Sequence, residues 1–430
     1  MQTHSRFKYG VIGVFLLVLA LAAAGLMIAI SDVPSEIFLM DGNSQTLQVG
    51  FPFELELEEG EQSVSAVTVQ GDSLKDKKSY SLSEPLVISG QEEGKCNASL
   101  KVFGVKVKDI QITVLEEVML VPGGQSIGVM LHTKGALVVG SMNITSKTGE
   151  PVNPAKVAGL QAGDIIEKYN GEEIKDAAHL SELINQDEEG AARLSVRRGD
   201  QNLELTIYPV QDAEDGLWKL GVWVRDSTLG VGTLTFYDSA SGKFAGLGHA
   251  ITDVDTGKLL TVKDGEIVKS DILEVVKGEE GEPGELRGSF GQNDEVIGTI
   301  SKNTEYGLYG NTQKQMQNGI YGALPAAKRD EVKVGEATLL CTLDDSGVKE
   351  YSCKIVKVNS QDSPEQKSFV VQIDDERLLE TTGGIVQGMS GSPIIQNGKI
   401  VGAVTHVFIN DPTQGYGIYL DWMLSEMYSF

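Results

Sequence analysis

The sequence predicts a mainly β chain built from several domains, and three observations carry that expectation. Its 430 residues are too many for one ordinary domain, and 41% hydrophobic content is enough for two or three cores. Short β-branched runs recur between Gly, Asp and Asn, and Gly alone numbers 50. The clearest of these runs alternate apolar and polar residues with period two, the mark of a half-buried strand.

Val11–Ile30 is an unbroken apolar run of 20 residues, long enough to cross a bilayer. His4, Arg6 and Lys8 precede it, whereas Ser31 and Asp32 follow. The positive-inside rule therefore leaves residues 1–9 as a cytoplasmic stub and exports the remainder. Residues 10–30 read as an uncleaved anchor, the run being longer than a usual signal core. Small residues at Ala22–Ala24 and at Ala29 offer a cleaved signal as the alternative.

Residues 34–117 carry alternating segments such as Phe53–Leu57 and Lys101–Val107 and read as a small β domain without legible chemistry. A formal charge of −25 disfavours nucleic acid as a partner and makes an anionic lipid face repulsive. Of the three cysteines, Cys341 and Cys353 flank a turn signal at Asp344–Gly347. They are either bridged across a hairpin or packed as two thiols. No cysteine has a histidine at metal-ligand spacing, and no zinc motif appears.

Residues 118–210 change character. Ala158–Ile166 reads A-G-L-Q-A-G-D-I-I, Asn170-Gly171 follows as a hairpin turn, and Ala177–Asn185 has helical spacing of Leu180, Leu183 and Ile184. This string resembles the PDZ family. The resemblance implies that Ser126, Ile127, Gly128 and Val129 form the loop whose amides capture a peptide C-terminus, the peptide adding as a strand to a sheet edge. His179, at the helix start, would read a ligand side chain or stand exposed.

Residues 211–430 show many short strand signals without long amphipathic helices, which suggests a sandwich or barrel. Lys277–Glu285, rich in Gly and Glu, reads as a surface excursion. Gly388–Pro393 has the form G-x-S-G-x-P, the nucleophile loop of chymotrypsin-like serine peptidases. Its glycines allow the sharp turn that projects the Ser390 hydroxyl and converges the amides of Gly388 and Ser390. Such a pair holds an oxyanion, each donor contributing about 3–4 kcal/mol.

A serine hydroxyl needs a base, and only five histidines are available. His249, in Gly246-Leu247-Gly248-His249-Ala250, is favoured; His406 is the rival. In chymotrypsin-like enzymes the strand after the nucleophile hairpin pairs with substrate. By that analogy Thr405 and His406 line the peptide, and Gly417 leaves room in the pocket wall. The loop predicts a chymotrypsin-like pair of six-stranded barrels. For the acid that orients the imidazole, Asp374, Asp375, Asp253 and Asp255 stay open on the residues alone. Neither metal nor cofactor is expected, because the serine triad chemistry to which these motifs point needs neither.

Gly248–Asp253, Thr382–Pro393 and Gly402–Val407 together resemble the SpoIVB peptidases of endospore-forming bacteria, and the order anchor, PDZ, peptidase resembles theirs too. The resemblance implies a triad of His249, Asp375 and Ser390, with Asp374 directly beside the acid. It also implies an exported, membrane-tethered serine endopeptidase, secreted from the forespore into the intermembrane space. That enzyme would cut itself, then a membrane-bound regulator of an intramembrane metalloprotease that processes a pro-sigma factor. Its partners would be those substrates, a PDZ ligand peptide and the membrane. Met389 replaces the Asp whose ion pair activates digestive zymogens, so activation is expected through release of an N-terminal segment or a PDZ contact. Two weaker readings are a silent PDZ adaptor, which has no need of both Ser390 and His249, and an HtrA-like quality-control peptidase, in which the PDZ domain follows the peptidase.

Overall fold

The computed structural model describes residues 25–430 apart from 32, 59–65, 74–78, 116, 187–189, 200, 291–294, 313 and 315–317. The expected stub and most of the apolar run Val11–Ile30 lie outside the described residues. Among the described residues no helix is long and apolar enough to cross a membrane.

The first unit pairs a five-stranded sheet with a four-stranded one. Phe53–Leu57 alternates buried and half-buried positions, and its inward face joins Leu100, Ile110 and Ile112 in one core. The unit docks on the C-terminal helix and on a loop before it: Asn43 Nδ2 donates to Asp421 Oδ2 at 3.0 Å, and Thr46 N donates to Asp362 O at 3.0 Å.

The second unit does not separate cleanly from the third, because one strand serves both. Strand β1 (Ser126–Ser141) runs 16 residues, and its two halves have different partners. The half from Ala136 pairs with β2 (Ile165–Tyr169) on one side. Helix α1 (Pro154–Ala158), helix α2 (Ala177–Gln186), β3 (Ala192–Arg198) and β4 (Gln201–Ile207) complete this small unit. Leu180, Leu183 and Ile184 on α2 are buried against Ile166, Leu194 and Val196, as the spacing predicts.

The half of β1 from Ser126 to Thr133 belongs to a barrel. It pairs with β5 (Val222–Tyr237) on one side and β7 (Val262–Lys269) on the other. From β5 the ring continues through β6 (Lys243–Gly246), β11 (Gly307–Asn311) and β10 (Val296–Thr304) back to β7. A separate hairpin, β8 (Asp271–Val276) with β9 (Glu285–Ser289), leaves this barrel after β7.

The second barrel is closed in the order β12 (Gly335–Thr342), β13 (Val348–Val358), β14 (Phe369–Ile373), β17 (Asp411–Tyr419), β16 (Lys399–Phe408), β15 (Pro393–Gln396). Helix α3 (Glu376–Thr382) follows β14, and α4 (Leu420–Tyr428) ends the chain. Two six-stranded barrels are therefore present, as the nucleophile loop predicts. All three cysteines are free and buried. Cys341 pairs with Lys349 and Cys353 with Ala337, so the hairpin register keeps the two thiols apart.

Candidate active site

The loop Gly388–Gly391 sits where the barrels meet. Thr233 of β5 donates its amide to Ser390 O at 3.0 Å and its hydroxyl to Gly388 O at 2.8 Å. From the second barrel, Val404 O accepts from Gly391 N at 2.8 Å. Gly388 and Gly391 both have φ +95°, and a Cβ on Gly391 would stand 2.2 Å from Thr233 O. Only glycine fits such a turn. Met389 is fully buried in the barrel core, which turns the neighbouring Ser390 outward.

Among the described residues, neither the Gly388 nor the Ser390 amide donates to a protein acceptor. The Ser390 hydroxyl donates to Thr405 O on β16 at 2.7 Å. Thr405 is itself buried, its Oγ1 donating to Tyr416 O at 3.2 Å.

His249 reaches the same place from the first barrel. After β6 the chain passes Leu247 (φ +67°) and Gly248 (φ +69°), two successive left-handed residues that reverse its direction. A Cβ on Gly248 would lie 3.0 Å from the Thr405 side chain. The His249 ring then stands 4.9 Å from that of His406, centroid to centroid. His249 Nδ1 contacts Ala250 O at 2.8 Å. A carbonyl only accepts, so Nδ1 carries the proton and Nε2 is left as the basic nitrogen. Burial holds the His249 imidazole below its ordinary range, the Ala250 bond opposing it. The exposed His406 is pushed down to about 4, first by desolvation of its ring and then by His249 and Lys367.

The aspartates lie elsewhere. Asp375 caps α3, accepting from the Arg377 and Leu378 amides. Its carboxylate also takes the Ser352 amide at 3.1 Å and the Arg377 guanidinium at 2.7 Å. Those bonds hold it low, at about 2, with Arg377 the largest cause. Asp374 accepts from Ser352 Oγ and pairs with Lys354. Asp253 and Asp255 both pair with Arg225. Among the described residues no carboxylate meets His249, so the expectation of Asp375 as its partner is corrected: helix capping occupies that side chain.

Two further expectations change. Ser126, Ile127, Gly128 and Val129 are hydrogen-bonded strand residues with β5 on one edge and β7 on the other. A strand flanked on both edges has no amides to offer a peptide, so these four do not form a ligand loop. Gly417 leaves no pocket either, since a Cβ there would stand 2.2 Å from the Phe369 ring, which fills the space from β14. His179 is engaged at home, 3.3 Å from the Lys175 amide.

Sequence reasoning missed Leu220-Gly221, which opens β5 beside α2. Leu220 O accepts from Ala155 N and Gly221 O from Met142 N, both at 2.9 Å. A rigid peptide with its carbonyl tied points its amide the opposite way. From Val222 to Arg225, β5 pairs with β1 on one edge only. Asp226 Oδ2 and Trp218 tie down the two ends of α2 across that edge. A Leu-Gly pair directly before a strand was the available signal.

Two family models fall on these same regions. Residues 216–424 match the SpoIVB peptidase S55 family, and residues 147–198 match the PDZ domain family. A stretch of 79 residues is 37% identical to serine protease HTRA1A of Danio rerio, covering 18% of this chain and 14% of that one. A stretch of 124 residues is 26% identical to a protein of Treponema pallidum (strain Nichols) provisionally named a zinc metalloprotease, covering 29% and 27%. The chain thus spans well under a third of the length of these relatives. The crystal structure of the PDZ domain of an SdrC-like protein from Listeria monocytogenes aligns over 21% of this chain and 87% of that one, with 21% identity and a TM-score of 0.18.

The two barrels that meet at the serine loop carry the peptidase family match, and the smaller unit beside them carries the PDZ match. The barrel region, just under half of the chain, resembles the SpoIVB peptidase S55 family.

Proposed function

We propose that Ser390 is the nucleophile and His249 its general base in a membrane-tethered, extracytoplasmic endopeptidase of sporulation signalling. The observation that carries this reading is that Ser390 Oγ reaches Thr405 O while Gly248 and His249 adjoin Thr405 and His406, beside the two unspent amides. Ser390 Oγ turns from Thr405 O, attacks the scissile carbonyl and passes its proton to His249 Nε2. The Gly388 and Ser390 amides take the oxyanion. His249 then protonates the leaving amine, and water releases the acyl group by the reverse path. Ala250 O, holding Nδ1–H, does the orienting that a carboxylate does in the familiar triad.

Recognition is assigned to the PDZ edge. A substrate or regulatory peptide adds along Val222–Arg225 opposite α2, its terminus near the Gly221 amide. The substrates suggested by the family resemblance are the enzyme itself and a membrane-bound regulator of an intramembrane metalloprotease, so that a pro-sigma factor is processed. Purified full-length chain and its Ser390→Ala variant test this. The wild type is expected to trim itself and to cut a co-purified regulator at few sites, and the variant to do neither. Equal trimming of both chains would refute the assignment.

A further inference from the structure

The Lys277–Glu285 segment reads as a surface excursion, yet it threads back onto the nucleophile loop. Leu286 N donates to Gln387 O at 2.8 Å, and Gln387 N donates to Gly284 O at 2.9 Å. These two bonds make a parallel bridge between Glu285 and Gln387. The segment is held at two more points, Gly278 N to Thr382 O and Gly281 N to Ile409 O, both at 2.8 Å. Leu286 is 2% exposed and belongs to the barrel core with Val386 and Met389. A Cβ on Gly388 would stand 2.9 Å from Leu286 Cβ, so the leucine lies directly over that glycine.

The consequence follows from peptide geometry. The Gln387 carbonyl and the Gly388 amide share one planar trans unit and point in opposite directions. Holding Gln387 O against Leu286 N therefore aims the Gly388 N–H away from the hairpin, where it has no protein acceptor among the described residues. The second donor is fixed within the loop itself, since Ser392 N donates to Met389 O at 2.9 Å and so sets the Met389–Ser390 peptide. Gly388, with φ +95° and no side chain, has the backbone freedom to turn over if the outer bond is lost. One amide of the pair is thus locked by its own turn, and the other by a distant hairpin.

We propose that Leu286 is a positioning residue for the oxyanion site, and that the β8–β9 hairpin acts as a strap keeping the Gly388 amide turned toward the substrate carbonyl. This rests on the reading of Gly388 as an oxyanion donor. It answers how a chain with Met389 in place of the zymogen aspartate sets that peptide: the strap replaces the buried ion pair. Undocking it would switch the enzyme off without touching Ser390 or His249.

The test is the rate at which an alkyl fluorophosphonate labels Ser390 in the full-length chain, with the bond-forming constant kinact separated from KI and thermal unfolding measured alongside. Leu286→Ala is expected to lower kinact about 10²-fold with KI unchanged, as for a small misplacement of a catalytic group. Leu286→Met, which refills the site, is expected to restore it. Should Leu286→Ala fail to fold, Leu286→Val keeps the core nearly filled and is expected to show a smaller loss, again in kinact. A folded Leu286→Ala or Leu286→Val protein that labels at the wild-type rate or faster overturns the proposal while leaving Ser390 as nucleophile. A wild-type chain that takes no label at Ser390 overturns both.

Discussion

The imidazole rings of His249 and His406 face each other at 4.9 Å, tilted by 40°. Burial holds His249 toward the neutral form, and desolvation followed by the neighbouring His249 does the same for His406. A neutral His249 is the form a general base needs. The labelling rate of the wild type is therefore expected to hold its plateau below the ordinary histidine range near 6.5. His406→Ala opens His249 to water, so the acid limb is expected to move up toward that range while the plateau rate stays. His249→Ala is expected to lose about 10²- to 10⁴-fold at every pH. An unmoved acid limb in His406→Ala would show that the rings do not act as a pair.

Asp375→Asn separates helix capping from catalysis. Asn caps a helix about as well as Asp, so the capped geometry predicts little change in unfolding free energy beyond the weakened Arg377 pair, with labelling nearly intact. A triad acid would lose about 10⁴-fold in rate. Denaturant unfolding and labelling on the same preparation distinguish the two. The aspartate's folded pKa is lowered, so its contribution is present above about pH 4 and is lost as pH falls toward 2.

Gly128 lies in a barrel strand under the Phe290 ring, with 2.3 Å left for a Cβ. Gly128→Val is expected to destabilise the peptidase by about 1–3 kcal/mol through overpacking. Thermal unfolding measures this. Unchanged stability combined with lost peptide binding would restore the ligand-loop reading.

Asp421 is buried where the N-terminal unit meets α4, beside Arg329 and Asn43. Burial raises its carboxyl to about 7. An acid with a raised folded pKa binds its proton more tightly folded than unfolded, so stability falls as pH rises from about 4 to about 7. The denaturation midpoint of the wild type is expected to show this slope, and Asp421→Asn to flatten it. The same slope in both would place its origin elsewhere.

Much of the site is legible because its chemistry is local. G-x-S-G-x-P needs no tertiary partner to be read, and Leu247-Gly248-His249 announces a tight turn through its glycine. Asp375 misleads because a helix cap and a triad acid call for the same residue type after a strand. The strand Ser126–Ser141 misleads because an apolar run of that length does not say how many partners it has. Gly417 marks an absent side chain, but the ring that fills the gap, Phe369, is far away in sequence. The strap is hidden more deeply: its contacts with Gln387 are backbone bonds, and its composition shows only glycine and glutamate.

Mapping the covalent adduct tests the central claim most directly. Full-length chain treated with an alkyl fluorophosphonate and digested is expected to carry the label on Ser390 alone, with Ser390→Ala unlabelled and His249→Ala labelled about 10²- to 10⁴-fold more slowly. Label on another residue, or equal labelling of wild type and Ser390→Ala, would contradict the assignment of Ser390 and His249 as nucleophile and base.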